Sequence, residues 1–167
     1  MHSFCKVGPG IAMLVLTILI ALAGSIVWMN AQDKATTSRA SFDTALASRL
    51  HADSYGMKYY IVAFLKAGPN RNQDSATAAY LQTTHLKNIQ RMANEGTLVL
   101  AGPFLDDTAL KGIYIFNVGT VEEAKALTES DPAIKAGRLV MELHPWYGSA
   151  ALQEISRIHA RIQAKKF

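Results

Sequence analysis

The sequence predicts one small α+β domain of order β-α-β-β-α-β, carried behind an apolar N-terminal segment. Four short runs rich in apolar and β-branched residues read as strands: Lys58 to Leu65, Thr97 to Ala101, Leu110 to Val118 and Arg138 to Trp146. Between the first and second runs, and again between the third and fourth, apolar residues recur at helical steps. Gly68-Pro69-Asn70, Gly102-Pro103 and Asp131-Pro132 punctuate the pattern as turns and breaks.

Taken in order, the chain begins with Lys6 ahead of an apolar run from Ile11 to Ala23, and Ala21-Leu22-Ala23 fits the small-x-small pattern of a signal-peptidase site. The apolar character continues through Ile26, Val27, Trp28 and Met29, which makes the stretch about long enough to span a bilayer as a helix. Residues 1–31 are therefore expected to be a signal peptide or a membrane anchor. The folded part is expected to be exported, periplasmic or anchored facing outward. Residues 32–56, rich in Ala, Ser, Thr and Asp, read as a linker in which Leu46 and Leu50 allow a short helix.

The first strand, KYYIVAFL, is almost continuously apolar. From Asp74 to Ala93, Ala78, Leu81, His85, Ile89 and Met92 form one stripe of a helix that Asp74 or Ser75 can cap, and Gly96 suits the left-handed position beyond its end. Thr120 is a good N-cap for the second helix, with Glu122 and Glu123 where the helix dipole favours negative charge. That helix runs to about Ser130, followed by a short turn over Ala133 to Gly137. Ser149 to Lys165 carries Leu152, Ile155, Ile158 and Ile162 along one side, so 149–167 is expected to form an amphipathic C-terminal helix after a domain spanning 57–148.

This order is that of a ferredoxin-like fold, an antiparallel sheet with both helices on one face. A sheet covered on one side should alternate apolar and polar residues. The first strand does not: Tyr59, Ile61, Ala63 and Leu65 point one way, Tyr60, Val62 and Phe64 the other, and both sets are apolar. The second face must meet something. One expectation is a homodimer with sheets packed face to face; the other is that the C-terminal helix folds back over its own sheet.

Composition narrows the function. The net charge of +4 comes from scattered Lys and Arg apart from a basic tail at Arg157, Arg161, Lys165 and Lys166, with no basic stripe of interleaved aromatics, so no nucleic acid is expected as a partner. The single cysteine, Cys5, precedes the apolar run, so the domain has no disulfide, thiolate metal site or Cys nucleophile. His51, His85, His144 and His159 show no metal-ligand spacing, and no metal or other cofactor is expected.

Two residues invite a chemical reading. His85 interrupts an apolar stripe, where a histidine is most simply a core residue satisfied by one hydrogen bond. Asp131 precedes Pro132, where an aspartate is most simply a turn or cap. Glu142 and His144 share one strand face and read as a partly exposed or interface-facing polar pair. Trp146 and Phe104 can wall a small apolar pocket or belong to the core, and Gly102-Pro103 reads as a strand-ending turn whose backbone can approach a ligand.

Taken together, His85-Leu86, the run Asn94-Glu95-Gly96-Thr97-Leu98, Ala101-Gly102-Pro103-Phe104, Asp131-Pro132-Ala133-Ile134-Lys135-Ala136-Gly137 and Pro145-Trp146 resemble the YCII-related (YciI-like) family over about Met57 to Tyr147. The combination carries the resemblance. It implies a ferredoxin-like domain assembled as a dimeric α/β barrel, and a His–Asp pair in a pocket at the positions of His85 and Asp131. It also implies acid–base chemistry, elimination or isomerisation, on small cyclic or aromatic compounds. Members often carry a basic residue just before the helix histidine; Gln82-Thr83-Thr84 stand here instead. In physical terms, a carboxylate beside an imidazole orients the ring and fixes its tautomer, which suits proton transfer. Two readings follow: a small enzyme with His85 as acid or base and Asp131 as its orienting partner, or a non-catalytic module of the same fold that binds a small-molecule ligand or a partner. Cofactor-independent oxygenation is a fold analogy alone.

Overall fold

Strand β1 (Met57–Ala67) lies at the interior of a four-stranded sheet of order β2-β3-β1-β4, in a computed structural model that describes residues 41–165. The other strands are β2 (Leu98–Pro103), β3 (Leu110–Phe116) and β4 (Leu139–Ser149). Every pairing is antiparallel. With helices after β1 and β3, the topology is the expected ferredoxin-like one. The signal peptide or anchor expected over 1–31, and the first part of the linker, lie outside the described residues.

Helix α1 (Thr44–Arg49) precedes the sheet, and Thr44 onward forms one unit. The stretch read as a spacer is tied down from there: Leu50 is buried, its carbonyl accepts from Gln153, and the Asp53 carboxylate accepts the N–H groups of Tyr55 and Met57. Helix α2 (Ser75–Asn94) starts at Asp74, whose carboxylate takes the N–H and the hydroxyl of Thr77, and Gly96 beyond its end sits at φ +74° as expected. Helix α3 (Val121–Glu129) starts in a full capping box: Glu123 N–H donates to Thr120 Oγ1, and Thr120 N–H donates to the Glu123 carboxylate.

Several boundaries differ from expectation, each for a local reason. Gly102 and Pro103 do not end β2 as a turn but are its last two residues; Pro103 is tolerated because β2 is an edge strand. The Ala133–Gly137 turn contains a short helix α4 (Pro132–Lys135), started by Pro132 at a first-turn position. Gly137 leaves it at φ +66°, and Gly68 packs so closely there that a Cβ would lie 2.2 Å from the Gly137 carbonyl oxygen. β4 runs past Pro145 to Ser149 because β1 offers it partners along its full length, Met57 pairing with Ser149. The C-terminal segment is not one helix: a 3₁₀ turn (Ala150–Glu154) leads into helix α5 (Ile155–Ile162).

The sheet has two apolar faces, as the first strand predicts. Ile61, Ala63 and Leu65 of β1 join Met92, Leu98, Tyr114, Phe116 and Ala124 in the core beneath α2 and α3. On the other face Tyr60, Val62, Val99 and Ile115 are buried, with Leu152 of the 3₁₀ turn packed against them. The Tyr60 hydroxyl donates to the Ser149 carbonyl at 3.1 Å, which allows a phenol to sit fully buried. So the C-terminal segment does fold back over part of this face. The rest stays open: Val140 and Trp146 are 41% and 40% exposed, and Lys66, Glu142 and His144 form an exposed cluster.

Candidate functional site: a buried His–Asp pair

His85 and Asp131 come together from different elements. Three turns into α2, His85 lies on the stripe that faces the sheet, between Leu81 and Met92. Asp131 is the N-cap of α4, and α2 packs on α4. The Nδ1 of His85 lies 2.8 Å from Oδ2 of Asp131, with the histidine 6% exposed and the aspartate 0%. Asp131 is thus both a capping residue and a partner: its Oδ1 accepts the Ala133 N–H at 2.8 Å while Oδ2 is left for the imidazole.

Two residues not singled out in the sequence complete the arrangement. Asn88 donates its amide to the same Oδ2 at 3.2 Å, and its own Oδ1 is held by Arg91, which also reaches Ser130. Asn88 is one helical turn beyond His85, a spacing that puts both on one face. The Tyr114 hydroxyl of β3 lies 3.2 Å from His85 Nε2, and the two rings stack with centroids 6.2 Å apart. Its sequence signal was an inward-facing polar-tipped aromatic in an apolar strand, which needs a partner when buried.

The electrostatics favour an ionised carboxylate. Burial works to raise the Asp131 carboxyl, but the hydrogen bond and charge of His85, the Ala133 N–H and the Asn88 amide outweigh it, so the group is held below the usual carboxylate range. Burial, with the Asp131 charge added, pushes the Tyr114 phenol strongly up, so it keeps its proton. An ionised carboxylate only accepts, hence the shared proton lies on Nδ1. Among the described residues, all the polar atoms of buried side chains find a partner.

The remaining candidate residues are not all at this point. Across an antiparallel pair, directly opposed side chains share a face. Tyr114 opposes Ala63, on the helix side, so His85 meets the sheet there. Pro103 opposes Gly112, which opposes Leu65, on that same side. Gly102 opposes Ile113 and lies toward the other face, and Phe104 follows the strand, 39% exposed. Trp146 opposes Tyr60 and folds over Gly148, so it lies on the face away from His85 and does not wall a pocket with it. Two surface clefts, of about 520 and 260 Å³, include neither His85 nor Asp131. Among the described residues no three His, Cys, Asp or Glu side chains converge as a metal site.

The family model of the YCII-related domain matches residues 57–147, more than half of the chain. The chain belongs to the YCII-related family. Its matched segment holds His85, Asp131, Asn88 and Tyr114, while α1 and the C-terminal turn and helix lie outside it. Among solved structures, the chain is similar to 5-chloro-2-hydroxyhydroquinone dehydrochlorinase (TftG) from Burkholderia phenoliruptrix AC1100, in complex with 2,5-dihydroxybenzoquinone. The identity is 16% and the TM-score 0.41, over 53% of this chain and 93% of that one. No curated protein matches.

Proposed function

We propose that this YCII-related domain moves a proton to or from a small organic molecule, possessing in His85 the acid or base and in Asp131 its orienting partner. The observation that carries the reading is the buried 2.8 Å hydrogen bond between them. A buried ionised carboxylate fixes the tautomer of the ring and offsets the charge when the ring gains a proton. The reaction class is elimination or isomerisation of a small cyclic or aromatic compound, which needs no oxidant or reductant. The domain works outside the cytoplasm, released or held by its N-terminal segment, and pairs with a second copy across the open part of the sheet, where Val140 and Trp146 are exposed.

One observation favours a second reading, a non-catalytic binding module. Both ring nitrogens of His85 already have partners and the ring is nearly closed off, as in a structural core histidine. Hydrogen exchange separates the two. Small cyclic ketones and hydroxylated aromatic compounds are incubated with the protein in D₂O and weighed by mass spectrometry. Proton transfer predicts deuterium incorporation into at least one compound, lost in a folded His85→Ala variant. No incorporation above that variant across the panel supports the binding module.

A further inference from the structure

His85 does not present its basic atom to open space. With the shared proton on Nδ1, the neutral ring has one lone pair, at Nε2, and that atom faces the Tyr114 hydroxyl at 3.2 Å. The phenol is 2% exposed and the imidazole 6%, so the hydroxyl stands at the only free lone pair of the ring. The donors run in one direction, from Tyr114 O–H to Nε2, and from Nδ1–H to Asp131. Resting on the proton-transfer reading above, we infer that Tyr114 is the third member of this chain, the group through which a small molecule exchanges protons with His85.

The strand register places small residues beside Tyr114. On the face that Tyr114 shares with the helices, its neighbour on the edge strand is Ala101, which is exposed, and Pro103 follows two residues on. Two residues before Tyr114 on β3 is Gly112, without a side chain. Short residues thus flank the tyrosine toward the β2 edge, the side on which the Ala101-Gly102-Pro103 run lies.

The step balances without a co-reactant. A C–H bond of the small molecule breaks and its proton goes to Tyr114 Oη, while the phenol's own proton passes to His85 Nε2. One new O–H and one new N–H bond replace the C–H and the former O–H. The electron pair stays on the small molecule as a carbanion or enolate, and the imidazolium stands against the Asp131 carboxylate. Running backwards, the same chain returns a proton.

The test uses the full chain with ¹⁵N-labelled histidine and long-range ¹H–¹⁵N spectra, at alkaline pH where an ordinary imidazole is neutral. The native protein is compared with Tyr114→Phe and with 3-fluorotyrosine at position 114, a more acidic phenol of nearly the same shape. Expected are a proton on Nδ1 and a bare Nε2 displaced upfield by the bond it accepts. That displacement grows with 3-fluorotyrosine and disappears in Tyr114→Phe. A tyrosine that only packs leaves the proton on Nδ1 and Nε2 unmoved by the fluorine, and this result overturns the inference alone; the fluorinated protein decides even where Tyr114→Phe fails to fold. A bare Nδ1 goes further and overturns the His–Asp reading itself, so the two failures are distinguishable.

Discussion

Asp131 shows how one side chain carries two functions at once. Its Oδ1 satisfies the Ala133 N–H at the start of α4, the capping work that an aspartate before a proline commonly does, and its Oδ2 is turned to His85. Because its folded-state pKa is depressed, it contributes stability that is present above the unfolded value of about 3.9 and lost as pH falls through the lower folded value. Urea unfolding at neutral pH and at successive steps below pH 4 is expected to show this loss in the native protein and a flatter profile in Asp131→Asn. At neutral pH the same variant is expected to cost about 1–3 kcal/mol, the range for disturbing a buried hydrogen-bond partner. The apolar stripe that His85 interrupts and the helix break at Asp131 read most simply as a core histidine and a cap, and it is the family resemblance that implies their pairing. Tyr114 and Asn88 were not singled out, because a polar-tipped aromatic in an apolar strand and an amide one turn from His85 do not name their partners, which lie 29 and 43 residues away.

At the scale of elements, the caps were read most securely, since they depend on a few adjacent residues. The Thr120–Glu123 box is formed, and α3, which it starts, lies in contact with α4 and β4. Thr120→Ala is expected to lower stability by about 1 kcal/mol, measured as a shift of the urea midpoint with unchanged slope. Element lengths were less legible. β4 extends beyond Trp146 because β1 supplies a partner for each residue to Ser149, and pairing of that kind is a tertiary fact. The C-terminal segment shows helical periodicity throughout, yet its first turn tightens to a 3₁₀ helix where Leu152 must reach the sheet. Trp146, read with Phe104 as a pocket wall or core residue, lies on the face away from His85 because the register with Tyr60 fixes it there.

For the whole molecule, the doubly apolar first strand was the most informative feature, since it required cover on both faces of the sheet. α2 and α3 supply one cover. The C-terminal segment supplies part of the other over Tyr60, Val62, Val99 and Ile115. What is left around Phe64, Ile113, Val140 and Trp146 has the apolar character of a contact surface, with Lys66, Glu142 and His144 as its polar centre. Face-to-face pairing there predicts that the protein sediments as a dimer and that Phe64→Glu shifts it to monomer while its far-ultraviolet circular dichroism is retained. A native protein that sediments as a monomer assigns the second face to the C-terminal segment alone.

Whether His85 and Asp131 behave as a coupled pair is tested most directly by titration of the Asp131 carboxyl carbon by ¹³C NMR, in the native protein and in His85→Ala. The prediction is a midpoint below the usual carboxylate range that rises when the imidazole is removed, since burial then works with less opposition. An Asp131 that titrates in the ordinary range or above it, and ignores the loss of His85, would contradict the pair and leave the aspartate as a helix cap.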